Sequence, residues 1–130
     1  MKKTTEMASM TFKKSERLAH KKSIQELFTR GSSFYLYPFK VIFRADESIP
    51  AHQILISVPK RSFKKAVLRN KLKRRIREAY RLNKHLLDTS VKYQIAYIYT
   101  SKDLLEFNDI ERKLIAVLER LKNQLAKKSE

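Results

Sequence analysis

The chain has no cysteine, no tryptophan, one glycine and three prolines among its 130 residues. Without cysteine it can form no disulfide, no zinc ribbon and no thiol nucleophile, a composition that fits a cytoplasmic location. No apolar run reaches the roughly 18 residues of a membrane span, and residues 1–10 lack the apolar stretch of a secretory signal. We therefore predict no membrane partner.

Acidic residues are also scarce, with 13 Asp and Glu against 30 Lys and Arg, a formal net charge of +17 and a pI near 10.2. Such an excess of positive charge predicts a polyanionic partner. Nucleic acid is favoured, and an anionic membrane surface is the other possibility. The hydrophobic content of 42% is high enough for a folded core. We predict a disordered tail over residues 1–10, one domain over 11–126 and a frayed end over 127–130.

The positive charge is concentrated between Lys60 and Arg81, a window with eleven basic residues and a single acid, Glu78. Within that window, apolar residues recur at the spacing of one helical face: Leu68, Leu72, Ile76 and Ala79. This pattern predicts a helix over residues 65–83 with a buried stripe and a basic outer face. An ordinary solvated face would mix charges of both signs, so we interpret the outer face as a nucleic-acid contact.

Short helices are predicted on both sides of this one. Ser23 and Glu26 have the spacing of a capping box, which predicts a helix over residues 23–30 that ends with Gly31 as its C′ residue. Asn108 and Glu111 predict a second capping box, followed by an amphipathic helix that ends near Lys128. One further helical turn is expected over residues 101–107.

Three β-prone stretches complete the pattern, at residues 34–44, 53–58 and 93–99, with Pro38 at a strand start or a bulge. In the first stretch, alternation places Tyr37, Phe39, Val41 and Phe43 on one face, opposite Lys40, Ile42 and Arg44. The predicted fold class is α+β, with helices packed on one small sheet. The aromatic stripe is open to two interpretations, a core face or a stacking platform for bases.

The basic helix follows a strand rather than another short helix, which argues against a helix-turn-helix reader of DNA and favours RNA. The chain offers no paired carboxylates, no Ser–His–Asp arrangement and no phosphate-binding glycine loop. We therefore predict no catalytic residue and no metal site in this chain. The three histidines, His20, His52 and His85, are scattered and are interpreted as surface residues. A protein-only nuclease and a DNA-binding regulator remain less favoured alternatives.

The segment 66–78, AVLRNKLKRRIRE, resembles the RNA-binding helix of the bacterial ribonuclease P protein. The lead-in ISVPKR at 56–61, the N-terminal FKKSERL at 12–18 and the helix end FTRG at 28–31 resemble the same family. The resemblance extends over about residues 11–121. Two positions depart from the family pattern: Lys71 replaces an arginine, and Ile24 stands where phenylalanine is common.

The resemblance implies a small central four-stranded sheet with helices packed on it, in the order αβββαβα. This is the fold of the second domain of ribosomal protein S5, with a left-handed βαβ crossover. It also implies a subunit of ribonuclease P, an endoribonuclease that removes the 5′ leader of precursor tRNA. In that enzyme the RNA subunit and its Mg²⁺ ions perform the chemistry, and no protein oligomer is required. The alternative is a ribosome-associated structural RNA-binding protein without a role in cleavage.

Two groups of residues are implied by the resemblance. The group that binds the catalytic RNA comprises Lys60, Arg61, Lys64, Lys65, Arg69, Asn70, Lys71, Lys73, Arg74 and Arg77. The cleft that binds the single-stranded leader comprises Phe12, Arg17, Phe28, Phe39, Lys40 and Phe43.

Overall fold

The computed structural model describes residues 12–128, so the predicted tail over residues 1–10 lies outside the described part of the chain. The elements are α1 (Lys21–Arg30), β1 (Ser32–Leu36), β2 (Phe39–Ala45), β3 (Gln53–Ser57), α2 (Ala66–Asn83), β4 (Tyr93–Tyr99) and α3 (Phe107–Lys128). One-turn 3-10 helices precede α1 and follow α2, at Lys14–Glu16 and Lys84–Leu86. The predicted order αβββαβα is confirmed. No helix among the described residues is long and apolar enough to cross a membrane.

The four strands form one mixed sheet in the order β1-β2-β4-β3. β1 pairs with β2 and β2 with β4 in antiparallel fashion, whereas β3 lies parallel to β4. Helix α2 is therefore the crossover between two parallel neighbours, as the resemblance implied; the left hand of that crossover stays a prediction. The chain before α1 runs beside β3, where the Leu18 amide donates to the Ile54 carbonyl over 2.9 Å.

The two faces of the sheet are covered unequally. Helices α2 and α3 cover one face, here called the closed face, and bury the larger hydrophobic cluster against it. That cluster includes Phe39, Val41, Phe43, Ile95, Tyr97 and Tyr99 from the strands and Leu72, Ile76, Ile110, Leu114 and Leu118 from the helices. On the opposite face, α1 buries a smaller cluster of Leu18, Leu27, Ile42 and Ala96. Most of the apolar burial that stabilises the fold is thus on the closed face.

Both predicted capping boxes are wrong. Helix α1 begins at Lys21, two residues before Ser23, and its N-cap residue His20 makes no side-chain cap hydrogen bond. Helix α3 begins at Phe107, so Asn108 is already inside it. Residues 101–106 contain no helical turn; residues 102–103 form a bend, and the Ser101 hydroxyl accepts from the Asp103 amide over 3.0 Å.

Gly31 ends α1 as predicted, and its φ of −72° and ψ of 154° are extended rather than left-handed. Glycine is needed there for a different reason. A Cβ at this position would collide with the Leu27 carbonyl and with the Ile42 side chain of β2. The absence of a side chain therefore lets the end of α1 approach the sheet closely.

The β-prone stretch 34–44 forms a hairpin rather than one strand. Tyr37 and Pro38 make the turn between β1 and β2, joined by a cis peptide bond. The Pro38 carbonyl accepts from the Thr100 amide over 2.7 Å and from the Thr100 hydroxyl over 2.9 Å. These bonds fix the turn to the end of β4.

Candidate nucleic-acid interface

The outer face of α2 carries the predicted RNA-binding residues. Leu72, Ile76 and Ala79 are fully buried, which turns the opposite side of the helix to solvent. The exposed residues on that side are Asn70, Lys71, Arg74 and Arg77, and Lys73 is half-buried. Among the described residues, no ion pair involves Lys71, Lys73, Arg74 or Arg77. Their charge is therefore available to an external anion.

Arg69 has a structural role within the same motif. Its Nη1 donates to the Phe63 carbonyl over 2.7 Å and to the Lys64 carbonyl over 2.8 Å. Phe63 is itself buried, with its ring centroid 6.0 Å from that of Tyr99. Arg69 thus holds residues 59–65, here called the lead-in loop, against the start of α2. The prediction that Arg69 contacts RNA is not tested by this geometry.

The lead-in loop presents four exposed cations: Lys60, Arg61, Lys64 and Lys65. A turn shapes the loop, since the Ser62 and Phe63 amides both donate to the Pro59 carbonyl. The anchored Phe63 and the hydrogen bonds of Arg69 keep this turn next to the first turn of α2. The predicted docking residues are therefore brought together on one continuous basic surface.

Two further arginines of α2 are engaged in contacts within the protein. Arg75 donates to the Leu105 carbonyl over 2.5 Å and ties α2 to the segment before α3. Arg81 forms an ion pair with Glu78, and its hydrogen bond is the main reason why the pKa of Glu78 lies below its ordinary value. The single acid of the basic window is thus matched by a neighbouring arginine.

The face of the sheet under α1 is only partly covered, and we call its uncovered part the open face. A row near one end of the sheet runs across all four strands through the pairs Tyr35–Lys40, Lys40–Ile98 and Ile98–Ser57. Tyr35 is 56% exposed and Lys40 is also exposed. Phe28, one residue after the buried Leu27 of α1, is 48% exposed. The open face therefore offers aromatic rings and a lysine to solvent.

The open face meets the lead-in loop. A cavity of about 370 Å³ lies between them, lined by Ile98 and Thr100 on the sheet side and by Pro59, Arg61 and Ser62 on the loop side. No residue of α1 lines this cavity; the helix is paired with the other end of β2, where Arg44 contacts Glu26 over 2.9 Å. That hydrogen bond is also the largest cause of the lowered pKa of Glu26.

The predicted leader cleft is contradicted at two of its residues, and the rest of it stays a prediction. Phe39 and Phe43 are 0% and 4% exposed on the closed face, so their assignment to the cleft is wrong. Alternation along β2 places them opposite Lys40, which does reach the open face. Neither ring has a surface on which a base could stack.

Phe12 and Arg17 also lie apart from Phe28 and Lys40. Phe12 packs edge-on against Tyr80 of α2 with ring centroids 6.0 Å apart, and it belongs to the closed-face cluster. The Arg17 guanidinium lies 5.6 Å from the centre of the Phe12 ring. Tyr35 and Ile98 also lie on the open face, and the strand alternation that places Lys40 there accounts for their position.

His52 departs from its predicted surface position. It is 8% exposed, its Nε2 bonds to the Leu87 carbonyl over 3.0 Å, and its Nδ1 accepts from the Tyr93 amide over 3.0 Å. Desolvation lowers the pKa of His52. Among the described residues, no group of three or more His, Asp or Glu side chains could hold a metal ion.

Comparison with known proteins gives a consistent result. The family model described as Ribonuclease P matches residues 12–122. A ribonuclease P protein component from Porphyromonas gingivalis W83 is 40% identical over 106 residues, covering 76% of this chain and 77% of the relative. One from Citrifermentans bemidjiense is 31% identical over 120 residues, covering 92% of this chain and all of the relative.

Solved structures show the same likeness. The Staphylococcus aureus RNase P protein superposes with a TM-score of 0.69 at 28% identity, covering 82% of this chain and 95% of that one. The Thermotoga maritima RNase P protein gives a TM-score of 0.69 at 30% identity, covering 81% of this chain and 96% of that one.

Proposed function

The chain belongs to the ribonuclease P protein family, and we propose that its two exposed surfaces bind two different RNAs of that enzyme. The basic surface of α2 and the lead-in loop binds the catalytic RNA. The open face of the sheet binds the single-stranded 5′ leader of precursor tRNA. As a subunit of ribonuclease P, the chain supports removal of that leader. The comparisons give no support to the ribosome-associated alternative.

The observation that carries the docking role is the row of exposed polar and basic side chains on α2. Asn70, Arg74 and Arg77 lie along one line of a helix whose opposite side is fully buried. A guanidinium offers phosphate a bidentate fork, and an asparagine amide can contact sugar or base edges. Because α2 packs on both the sheet and α3, this row is rigid, which suits a folded RNA better than a flexible basic tail would.

The open face supports the leader role through its chemistry. Single-stranded RNA binds proteins through base stacking on aromatic rings and through charge along its backbone. Phe28 and Tyr35 supply exposed rings, and Lys40 supplies charge beside them. The cavity that joins this face to Arg61 lets a strand pass from one surface towards the other.

We further propose that the RNA subunit and its Mg²⁺ ions carry out the hydrolysis. Two polyanions, catalytic RNA and substrate, must be held together. A chain of net charge +17 reduces their repulsion and so lowers the Mg²⁺ concentration that cleavage needs.

The decisive experiment measures cleavage of a precursor tRNA by the cognate catalytic RNA at low Mg²⁺, with and without the protein. We expect strong stimulation with cuts at the mature 5′ end. Absence of stimulation despite tight RNA binding would contradict the subunit mechanism. Cleavage by the protein alone would show that a catalytic site lies in this chain.

The docking surface is tested with the double variant Arg74→Ala and Arg77→Ala. We expect weaker binding to the catalytic RNA and a salt slope lower by about 0.7–0.9 for each phosphate that the variant no longer neutralises. The double variant Arg112→Ala and Lys113→Ala is the matched control, because it also removes two exposed cations, but from α3. An equal effect of the control would mean that net charge alone, and not this surface, drives binding.

A further inference from the structure

The ring of Tyr35 is exposed, yet it is held in place at its hydroxyl. Tyr35 lies on the edge strand β1 and is 56% exposed. Its ring belongs to neither hydrophobic cluster, and no other aromatic ring contacts it in the part of the chain that the structure describes. Exposed side chains without such packing change rotamer rapidly. The contact at the Tyr35 hydroxyl therefore decides where this ring lies.

That contact is one step in a chain of hydrogen bonds with a fixed direction. The Thr100 hydroxyl lies 2.9 Å from the Pro38 carbonyl and 3.2 Å from the Tyr35 hydroxyl. A threonine hydroxyl has one proton to donate, and a carbonyl can only accept. Thr100 therefore donates to Pro38 and accepts from Tyr35.

Thr100 is itself firmly placed. Its amide donates to the same Pro38 carbonyl over 2.7 Å, directly after the end of β4. Thr100 also lines the cavity between the open face and the lead-in loop. The hydrogen bonds therefore tie the Tyr35 ring to the end of β4, an inner strand of the sheet, next to a residue that borders this cavity.

The backbone of Tyr35 is fixed as well. Tyr35 pairs with Lys40 of β2, and its carbonyl accepts from Arg120 of α3 over 3.4 Å. The Arg120 guanidinium also lies 4.3 Å from the centre of the Phe34 ring. Because backbone and hydroxyl are both held, the Tyr35 ring keeps one orientation on the open face before any RNA binds.

We propose that Thr100 is a positioning residue for the leader, which holds Tyr35 so that its ring is ready to stack on a leader base. A ring that is already ordered loses less conformational entropy when a base binds to it than a mobile ring does. Thr100 acts through Tyr35 and not by touching the base itself. This inference rests on the leader role proposed for the open face.

Removing the hydroxyl of Thr100 tests the proposal. Thr100→Val keeps the shape of the side chain, and we expect the holoenzyme with this variant to bind precursor tRNA about 2- to 12-fold more weakly, the range for one side chain immobilised on binding. Affinity for mature tRNA, which has no leader, should not change. Thr100→Ser retains the hydroxyl and should restore wild-type affinity. The cleavage rate at saturating holoenzyme should also stay the same, because the ring contributes to leader binding and not to hydrolysis.

Thr89→Val is the matched control for Thr100→Val. It removes a threonine hydroxyl that donates to a backbone carbonyl over 2.8 Å, that of Val91, before the opposite end of β4. We expect it to leave precursor affinity unchanged. An equal loss in Thr89→Val and Thr100→Val would overturn the proposal, because the loss would then reflect a weakened fold rather than the position of Tyr35.

Two variants of Tyr35 show whether Thr100 acts through this ring. Tyr35→Phe keeps the ring and both bonds of Pro38 but has no hydroxyl, so it should weaken precursor binding as Thr100→Val does, without loosening the turn. Tyr37→Phe is its control, because it removes a tyrosine hydroxyl bond of the same hairpin, to Ser101 over 2.8 Å, outside the row that crosses the open face. In Tyr35→Ala no ring remains to be held, so adding Thr100→Val should cause no further loss of precursor affinity.

The outcomes separate the positioning role from the leader role. Wild-type precursor affinity in Thr100→Val or Tyr35→Phe, together with weakened binding in Tyr35→Ala, would overturn the positioning role and leave the leader role intact. Wild-type affinity in both Tyr35→Ala and Phe28→Ala would overturn the leader role of the open face as well. A further loss when Thr100→Val is added to Tyr35→Ala, or an equal loss in Thr100→Ser, would also overturn the positioning role, since Thr100 would then act without the ring or without its hydroxyl.

Discussion

The two faces of the sheet share the same four strands but serve different purposes. On the closed face, Phe39, Val41 and Tyr97 are fully buried beneath α2 and α3. On the open face, one residue along the same strands, Lys40 is exposed and Ile98 is only half-buried. The difference arises because two long helices cover one face, whereas the ten-residue α1 covers part of the other. Burial, rather than residue type, therefore decides which aromatic rings can meet RNA.

The largest expected effect comes from the closed face. Phe39→Ala should lower the free energy of unfolding by about 3–5 kcal/mol, because it removes a fully buried ring and leaves a cavity. Phe28→Ala on α1 should change it by less than about 1 kcal/mol, since the ring is half exposed. Chemical denaturation of both variants measures the contrast. Similar losses for the two would show that the faces are not energetically distinct.

The second-largest effect tests whether the open face binds the leader of precursor tRNA. Phe28→Ala should weaken binding of precursor tRNA to the holoenzyme by about 1–3 kcal/mol if its ring stacks on one leader base. Binding of mature tRNA, which has no leader, should not change. Phe107→Ala is a control of the same residue type on α3. An equal loss of affinity for precursor and mature tRNA would show that Phe28 does not contact the leader.

A smaller effect is expected when His52 is replaced, a buried residue with hydrogen bonds at both ring nitrogens. His52→Gln should cost about 1–2 kcal/mol at pH 7, because the bonds to the Leu87 carbonyl and the Tyr93 amide are weakened. Thermal melting at fixed pH provides the measurement.

The same variant tests a pH dependence. Desolvation and, to a lesser degree, the nearby Lys92 lower the pKa of His52 from 6.5, against the opposing effect of the Leu87 hydrogen bond. The unfolded chain then binds this proton more readily than the folded protein, so stability falls as the pH drops below about 6.5. We expect the fall between pH 7 and 5 to be smaller in His52→Gln than in wild type. His20→Gln, at an exposed site, should retain the wild-type fall.

The smallest effect is expected at two tyrosines of β4. The hydroxyl of Tyr97 is buried without a hydrogen-bond partner among the described residues. Tyr97→Phe should therefore be neutral or stabilising by up to about 1 kcal/mol. The hydroxyl of Tyr99 donates to the Asp103 carbonyl, so Tyr99→Phe should cost about 0.5–1.5 kcal/mol. Equal destabilisation by both substitutions would mean that Tyr97 has a partner.

Much of the fold could be predicted because its apolar patterns are strong. The period of Leu72, Ile76 and Ala79 gave α2 nearly to its ends, and β4 was predicted with the bounds that the structure has. Both patterns reflect burial that spans the whole element. The predicted helix starts were wrong at Ser23 and Asn108, because α1 begins two residues earlier at Lys21 and α3 one residue earlier at Phe107. A cap contributes only about 1 kcal/mol, so the spacing of its residues does not by itself fix where a helix begins.

The sequence by itself determined a basic helix with one buried face, because charge and apolar period are properties of the chain alone. It also determined that strand β2 has two unlike faces, since alternate side chains of a strand point in opposite directions. Only the tertiary structure decided which face was closed, because that depends on where α2, α3 and α1 pack. The same packing brought Arg81, His52 and Lys92, distant in sequence, around one cavity. No local sequence pattern predicts that these three residues lie close together, because their positions depend on contacts between secondary-structure elements rather than within them.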